Sequence, residues 1–515
     1  MKPDKENQIP LYIQIRDYLK DRIRSGELSP GQRLPSVAEM AESYSVTAAT
    51  IRRALQDLAE DRLISSHVGR GTFVLDPPGA SVSAGENASA DANAATAEPR
   101  APEQLSAPES RSGSARKLRD SLQRGLGGLM ALANKEGTIV FTRGIADPDT
   151  IESGILERLV LRALSRGEEL FRDYGDPRGL ESLREEIARL YREDGLDVGA
   201  EHILVTSGSQ QAISLIAQQA AEQRTPVLCE TPCYAGVTNA FNAFALPFET
   251  VPRGEEGPEP EHLGPASDGT ILYLCPVLHN PSGTDISETR RLALAQWAKS
   301  NNAVLLADEV FRDLHFGTPP RSFLSDPGPE NSIILGSLSK SFISGLRVGW
   351  IVSSSERIEA LAAVKKAMDL GCPPLMQGIA REFLADDAGY RAHRARIKNH
   401  YRRRRDAVLA ALGEYMPKGV SWSIPEGGFQ LQANLPEGAS SVELYLRAID
   451  RGAAFLPGAL QDIDNTFQHT FRLCYGSLSE KDIREGIKRI GEAAAEYLAG
   501  ISGIRSGPGA GFGDF

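Results

Sequence analysis

Apolar residues along this chain keep three different rhythms. Near the start Leu11, Ile15, Leu19 and Ile23 recur every four residues, one face of a helix that Pro10 opens. Gly26 and the segment SPGQRLPS break the pattern, and a second short helix (VAEMAESY) follows. A third begins at Thr47, with Ile51, Leu55 and Leu58 on its buried stripe. LISSHVGRGTFVL then reads as two short strands around the tip Val68-Gly69-Arg70-Gly71. From Asp76 to about Ser114 large apolar side chains nearly vanish in favour of Ala, Ser, Pro and Glu. Such a segment buries too little surface to offset its ordering entropy, which predicts a flexible linker over 76–115. Lys117–Ala133 regains a helical stripe through Leu118, Leu122, Leu126 and Leu129.

From about Gly137 short apolar strands alternate with longer amphipathic stretches. The strands are HILVT (202–206), PVLCE (226–230), ILYLCP (271–276), AVLLADE (303–309) and SIILGSLSK (332–340); SQQAISLIAQQAAE and SETRRLALAQWAKSNN are the helices between them. This alternation predicts a mostly parallel, doubly wound α/β sheet in a large lobe over about 137–375. Long helices with few strands predict a small α+β lobe over about 376–500, and residues 501–515 read as a disordered tail. The expected domains are therefore 1–75, a linker over 76–115, and a body over 116–500. No internal repeat is present.

Composition narrows the function classes. The net charge of -11 advertises neither nucleic acid nor an anionic membrane, so any DNA binding must come from a local patch. No run of about 18 apolar residues exists, and MKPDKENQIP lacks the apolar core of a signal peptide, so no membrane span or export is expected. Five cysteines fit buried thiols in a reducing cytoplasm better than a disulfide framework. Cys229 and Cys233 have no companion pair, and no metal site is expected.

Thr and Arg on the free face of the third helix suit insertion into a major groove, and Arg70 at a glycine-flanked tip suits phosphate or minor-groove contact. Residues 9–74, with PGxRLPS, V-T-x-x-T-[IL]-R and a Gly-rich wing, resemble the GntR family of bacterial regulators, an α+β winged helix-turn-helix. The resemblance implies that Thr47, Thr50, Arg52, Arg53 and Arg70 face DNA, with Arg33 and Ser36 near its backbone. Ala38 and Ala48 stand where the family often has arginine, and residues 1–75 carry 11 basic against 10 acidic side chains. One module alone should bind weakly, so two are needed. The basic run Tyr401–Arg405 reads as a solvated helix face.

The chemistry of the body lies at strand ends. Ser207-Gly208-Ser209-Gln210-Gln211 follows a strand and opens a helix, an anion site. Asn280-Pro281-Ser282-Gly283, Asp308, Ser337-Leu338-Ser339-Lys340, Arg347 and Arg472 fall at comparable places, where open α/β sheets bind ligands. A lysine can form a Schiff base with pyridoxal phosphate, a carboxylate can hold its pyridine nitrogen protonated, and a second arginine can grip a carboxylate.

About 137–495 resembles the fold-type-I, class I/II aminotransferases. The resemblance implies Lys340 as the Schiff-base lysine, Asp308 as the pyridine partner and Asn280 as donor to the ring hydroxyl. It makes Tyr234 the stacking aromatic and assigns Gly208, Ser209, Gln210, Ser337, Ser339 and Arg347 to the phosphate. Tyr174 would reach the phosphate of a neighbouring subunit, and Arg472 would take an effector or substrate carboxylate. Phe311 departs from the pattern, replacing a tyrosine that bonds the ring hydroxyl; this should blunt transamination more than cofactor binding.

Head, linker and body together resemble the MocR subfamily. That implies a homodimer whose two heads bind a double-stranded DNA operator; with the cytoplasmic setting that the cysteines suggest, the expected mechanism is that an amine or amino-acid effector is sensed through an external aldimine at Lys340. The alternatives are an active aminotransferase whose head is autoregulatory or vestigial, and a plain repressor whose body is only a dimerisation scaffold.

Overall fold

The computed structural model comprises two units, Met1–Ser106 and Ala107–Phe515. The residues described are 11–24, 28, 32, 34–35, 37–44, 46, 50–51, 54–55, 58, 63–67 and 71–75 of the first, and 133, 136–167, 174–464 and 466–505 of the second. The linker expected over 76–115, residues 117–132 of the helix expected over 117–133, and residues 506–515 lie outside them.

In the first unit, helix Leu11–Arg24 buries Ile15, Leu19 and Ile23, as its period of four requires. Helix Val37–Tyr44 adds Met40, and the helical positions 51, 54, 55 and 58 add Ile51, Ala54, Leu55 and Leu58 to one core. Each large apolar side chain among them contributes about 1.5–3 kcal/mol when buried. Strands β1 (Ile64–His67) and β2 (Gly71–Val74) pair antiparallel, Ile64 opposite Val74. The Leu34 N–H donates to the Thr72 carbonyl and the Val74 N–H to the Gln32 carbonyl, which ties the hairpin to the core. The architecture is the expected winged helix-turn-helix.

The second unit opens with β3 (Ile139–Val140), and its centre is an eight-stranded sheet. Its strands are β4 (Ile203–Thr206), β5 (Val227–Thr231), β6 (Glu249–Gly254), β7 (Gly257–Pro258), β8 (Ile271–Leu274), β9 (Val304–Asp308), β10 (Ser332–Ser337) and β11 (Gly349–Val352), in the order β4-β11-β10-β9-β8-β5-β6-β7. Strands β10, β9, β8, β5 and β6 run parallel; β11 is antiparallel to both its neighbours. Helices cover both faces, so the strands read as continuous apolar runs. Successive side chains still alternate: Leu305 and Ala307 join the core on one face, Val304 and Leu306 the core on the other.

The small lobe holds the sheet β12 (Ser421–Trp422), β13 (Gln430–Asn434), β16 (Thr470–Cys474) and β15 (Leu456–Pro457), in that order; β14 (Ala453–Ala454) pairs instead with β3. Helices Asp387–Tyr415, Ser441–Asp450 and Glu480–Arg505 pack around it.

Three expectations change. The strand expected over 332–340 stops at Ser337, whose hydroxyl accepts the Ser339 N–H and caps a helical turn, Leu338–Ser341, that carries Lys340. The final helix runs to Arg505, so residues 501–505 of the tail expected over 501–515 are helical. The basic run is not a uniform solvated face. Ile397, Tyr401, Arg404 and Val408 form an inward stripe, and Arg404 pairs with the buried Asp147 at 2.6 Å. Arg402 and Arg403 do remain exposed. All five cysteines are buried free thiols. Among the described residues no helix is long and apolar enough to cross a membrane.

Gly349 opens β11 against β4 and β10. A Cβ there would stand 2.8 Å from the Gly208 carbonyl carbon and 2.9 Å from the Ser209 nitrogen, backbone atoms that cannot swing aside. Gly349→Ala should therefore destabilise the body by about 1–3 kcal/mol, read as a lower midpoint in thermal or denaturant unfolding.

Candidate functional site

The sheet register brings one set of chain ends to one edge. Thr206 lies opposite Gly349, which lies opposite Ser337; Leu335 lies opposite Asp308, and Ala307 opposite Leu274. The loops leaving β4, β5, β8, β9 and β10 therefore emerge together, carrying Gly208, Tyr234, Asn280, Asp308 and Lys340.

Lys340 Nζ donates to the Gly144 carbonyl at 2.7 Å and lies 5.6 Å from the centre of the Phe311 ring. Burial pushes its pKa below the ordinary lysine range; Arg472 and Arg347 add to this, and Cys474 and Asp308 oppose it. Asp308 is buried at the end of β9. Burial pushes its carboxyl up to about 6, against the Val310 N–H at 3.3 Å, the Tyr273 hydroxyl at 3.1 Å and the charge of Lys340. Tyr273 lies in β8, one strand away from β9.

An anion cradle lies beside these groups. Helix Ser209–Gln223 begins after Gly208, which has a φ of 87° and no side-chain cap, so its first N–H groups stay available. Arg347 adopts a φ of 54°, donates from Nη2 to the Ser207 carbonyl at 2.9 Å and approaches Ser339 Oγ at 3.5 Å. A Cβ on Gly208 would stand 2.5 Å from Arg347 Nη2, so only glycine lets the two come this close. Two of the expected members take indirect places. The Ser337 hydroxyl is occupied by Ser339 N–H and the Val348 carbonyl, and the Gln210 side chain bonds the Gly236 carbonyl and the Tyr234 hydroxyl.

Arg472 is buried on β16 and comes from the small lobe. Its Nη1 donates to Asn280 Oδ1 at 2.7 Å and its Nη2 to the Thr142 carbonyl at 3.2 Å; Gln461 Nε2 shares the same Asn280 oxygen at 3.0 Å. Among the described residues no carboxylate pairs with Arg472, although such a group is expensive to bury unpaired. Tyr174 is 77% exposed rather than packed into this cluster. Phe311 is buried against Phe429, their ring centres 5.4 Å apart. Sequence reasoning missed Thr142, Gly144, Tyr273, Gln461 and Cys474. Only Tyr273, a polar tip inside the otherwise apolar ILYL, left a signal. Of the residues expected at DNA, Thr50 is described and half-buried; Arg33, Ser36, Thr47, Arg52, Arg53 and Arg70 lie outside the described residues.

A further polar cluster joins Asp285, His315 and Glu426. The Gly317 N–H can only donate to His315 Nδ1, so the ring proton lies on Nε2 and points at Asp285, 2.8 Å away. This is a satisfied hydrogen-bond contact and not a vacant ligand set.

Comparison with known proteins bears on both units. Residues 116–490 match the family "Aminotransferase class I and II", and residues 11–74 match "Bacterial regulatory proteins, gntR family". The 2-aminoadipate transaminase of Thermus thermophilus is 32% identical over 378 residues, 72% of this chain and 94% of the relative. The uncharacterized HTH-type transcriptional regulator YisV of Bacillus subtilis is 27% identical over 504 residues, 96% of this chain and 98% of the relative. Among solved structures, α-aminoadipate aminotransferase from Thermus thermophilus, complexed with N-(5'-phosphopyridoxyl)-L-leucine, superposes with a TM-score of 0.65 at 32% identity, covering 71% of this chain and 94% of that one. Kynurenine aminotransferase of Pyrococcus horikoshii gives a TM-score of 0.67 at 30% identity, covering 73% of this chain and 95% of that one. The cofactor is pyridoxal 5'-phosphate. A half-buried amine, a buried carboxylate and a glycine–arginine anion cradle at one sheet edge fit it.

Asp308 titrates higher folded than its ordinary value near 4, so the cofactor-free protein loses stability as pH rises from about 4 through about 6, and the loss then levels off. Asp308→Asn should thus stabilise that form by about 1–2 kcal/mol above pH 7 and not at pH 4, measured by unfolding at both pH values.

Proposed function

The chain belongs to the class I and II aminotransferases and joins that fold to a gntR-family DNA-binding head, the MocR arrangement; on that premise we propose that it is a transcription regulator that reads an amine or amino acid at the Lys340–Asp308 site. The supporting observation is the union in one chain of the gntR match with a half-buried lysine and a buried carboxylate and arginine, beside which Phe311 carries no hydroxyl.

When bound, pyridoxal phosphate supplies an electrophilic carbon that captures primary amines and a ring that accepts electrons from them. Lys340 would anchor it, and its depressed pKa favours the neutral, nucleophilic amine. Asp308 would hold a proton on the ring nitrogen, Asn280 would bond the ring oxygen and Tyr234 would lie against the ring face. Phosphate would rest on the turn at Gly208, on the N–H groups of Ser209 and Gln210 and on Ser339 and Arg347, with Ser337 shaping the turn that presents them. Arg472, which pairs with no acid among the described residues, would take the carboxylate of an amino-acid effector. In a dimer, Tyr174 would reach the phosphate of the neighbouring subunit, and two heads would bind two half-sites with avidity. Thr47, Thr50, Arg52, Arg53 and Arg70 would face the DNA there, with Arg33 and Ser36 near its backbone.

An effector can move the heads only if it binds the two arrangements of the protein with different affinity. Closure of the small lobe, which carries Arg472, onto the large lobe, which carries Lys340, supplies such a difference. A second reading, a working aminotransferase, is supported by the completeness of the lysine, aspartate and arginine set.

Absorption spectra of cofactor-loaded protein during titration with single amines separate the readings. A lasting band without turnover supports the sensor; cycling with a 2-oxo acid supports the enzyme. Fluorescence anisotropy on operator DNA should show an effector-dependent shift, and Lys340→Ala protein that still shifts normally would sink the sensor. Arg472→Gln should weaken a carboxylated effector about tenfold to a hundredfold and leave a simple amine nearly unaffected.

A further inference from the structure

Asp308 has an unfavourable address for an anion. Its carboxylate is enclosed by the sheet, and a second fully buried acid, Glu230 on β5, lies near enough for the two to repel. Glu230 has its own partners: Arg253 at 2.8 Å, the Cys275 N–H, and the ring of His279 at 3.6 Å. Arg253 is therefore committed to Glu230. The groups that face Asp308 are Lys340 from the turn after β10, Tyr234 from the loop after β5, and Tyr273 and Cys275 from β8 and its end. The Cys275 thiol points at the Asp308 backbone carbonyl, 3.6 Å away, and not at the carboxylate. Lys340 spends a hydrogen bond on the Gly144 carbonyl. Among the described residues, the side-chain hydrogen bond the carboxylate receives is the one from Tyr273.

We propose that Tyr273 is a positioning residue that holds Asp308 ionised and fixes the carboxylate's orientation toward the cofactor's ring nitrogen. The phenol lies one strand away, buried, with its hydroxyl 3.1 Å from Asp308 Oδ2. Burial and the surrounding thiol and acids keep it from ionising, so it remains a donor throughout the accessible pH range. The alternative acceptor within reach, Cys275 Sγ at 4.0 Å, is a weak one. With the Val310 N–H on Oδ1 and the phenol on Oδ2, the carboxylate is held in one rotamer and would keep lone pairs to accept from a ring N–H. The role toward the cofactor rests on the proposed function above; the effect on Asp308 does not.

Tyr273→Phe removes one oxygen and keeps the packed ring. The test measures what Asp308→Asn does to stability, once in the otherwise native chain and once in a chain that already carries Tyr273→Phe. Both comparisons are made cofactor-free, by thermal unfolding between pH 4 and 9. The stability gained by Asp308→Asn should rise from about pH 4 and level off near pH 6 with the phenol present. Without it the pH at which the gain levels off should move up by about one unit, a tenfold change in acidity. Incorporation of 3-fluorotyrosine at position 273, a stronger donor of the same shape, should move it down and keeps the test decisive if the Tyr273→Phe variant folds poorly. Identical profiles with and without the phenol would overturn the proposal. In cofactor-loaded protein, Tyr273→Phe should raise by a similar amount the pH below which the ring nitrogen loses its charged partner, read from the visible spectrum. Absence of a cofactor band in wild type would overturn the cofactor reading and leave the cofactor-free result standing.

Discussion

An ionised carboxylate taken out of water needs donors around it, and the body of this protein is built about one such group. Asp308 ends β9, an interior strand of the parallel run, where apolar side chains from both faces exclude solvent. Its neighbours are then constrained. The phenol of β8, the amide of Val310 and the amine of Lys340 must all arrive at one point, and the sheet register brings them there. The same register lays the Gly208–Arg347 cradle alongside, because Gly349 of β11 pairs with both Thr206 and Ser337. One strand alignment thus fixes charge, anion site and lysine together.

The second arginine obeys a different constraint. Arg472 lies in the small lobe and reaches Asn280 and Thr142 with two nitrogens, while no acid among the described residues neutralises it. A buried guanidinium left with neutral partners is poised for an incoming anion, and its placement on a separate lobe makes that anion a link between lobes. Lys340, from the other lobe, faces the same space. A ligand with an amine and a carboxylate would engage both, which gives a sensor the difference in affinity between open and closed forms that it requires.

Phe311 weighs on the balance between sensing and turnover. It fills its place against Phe429 with a hydrocarbon edge and offers no hydrogen bond to the region near Lys340. The rest of the site retains the groups that amine capture needs. On the proposed function, a chain with this site and a gntR head would retain a captured amine long enough for the capture to act as a signal.

Much of this is legible from the residues in order. Strand-and-helix alternation determines the doubly wound sheet, and the four-residue stripe of the head determines its first helix, because burial of one face imposes a period wherever it occurs. Lys340, Asp308, Asn280 and Arg347 stand out because strand ends in such sheets converge. What the order of residues leaves open is which distant side chains meet. Tyr273 lies in a strand buried on both faces, where every position is apolar-facing and periodicity carries no information about a polar partner. Gln461 and Arg472 reach Asn280 from 181 and 192 residues further along the chain. Arg404 reads as solvated within a run of arginines, yet helical phase turns it inward onto Asp147. Local pattern is set by each element's own need to bury a face, so the sequence determined the elements; partnership depends on how faces from separate elements are brought together, so only the tertiary structure decided it.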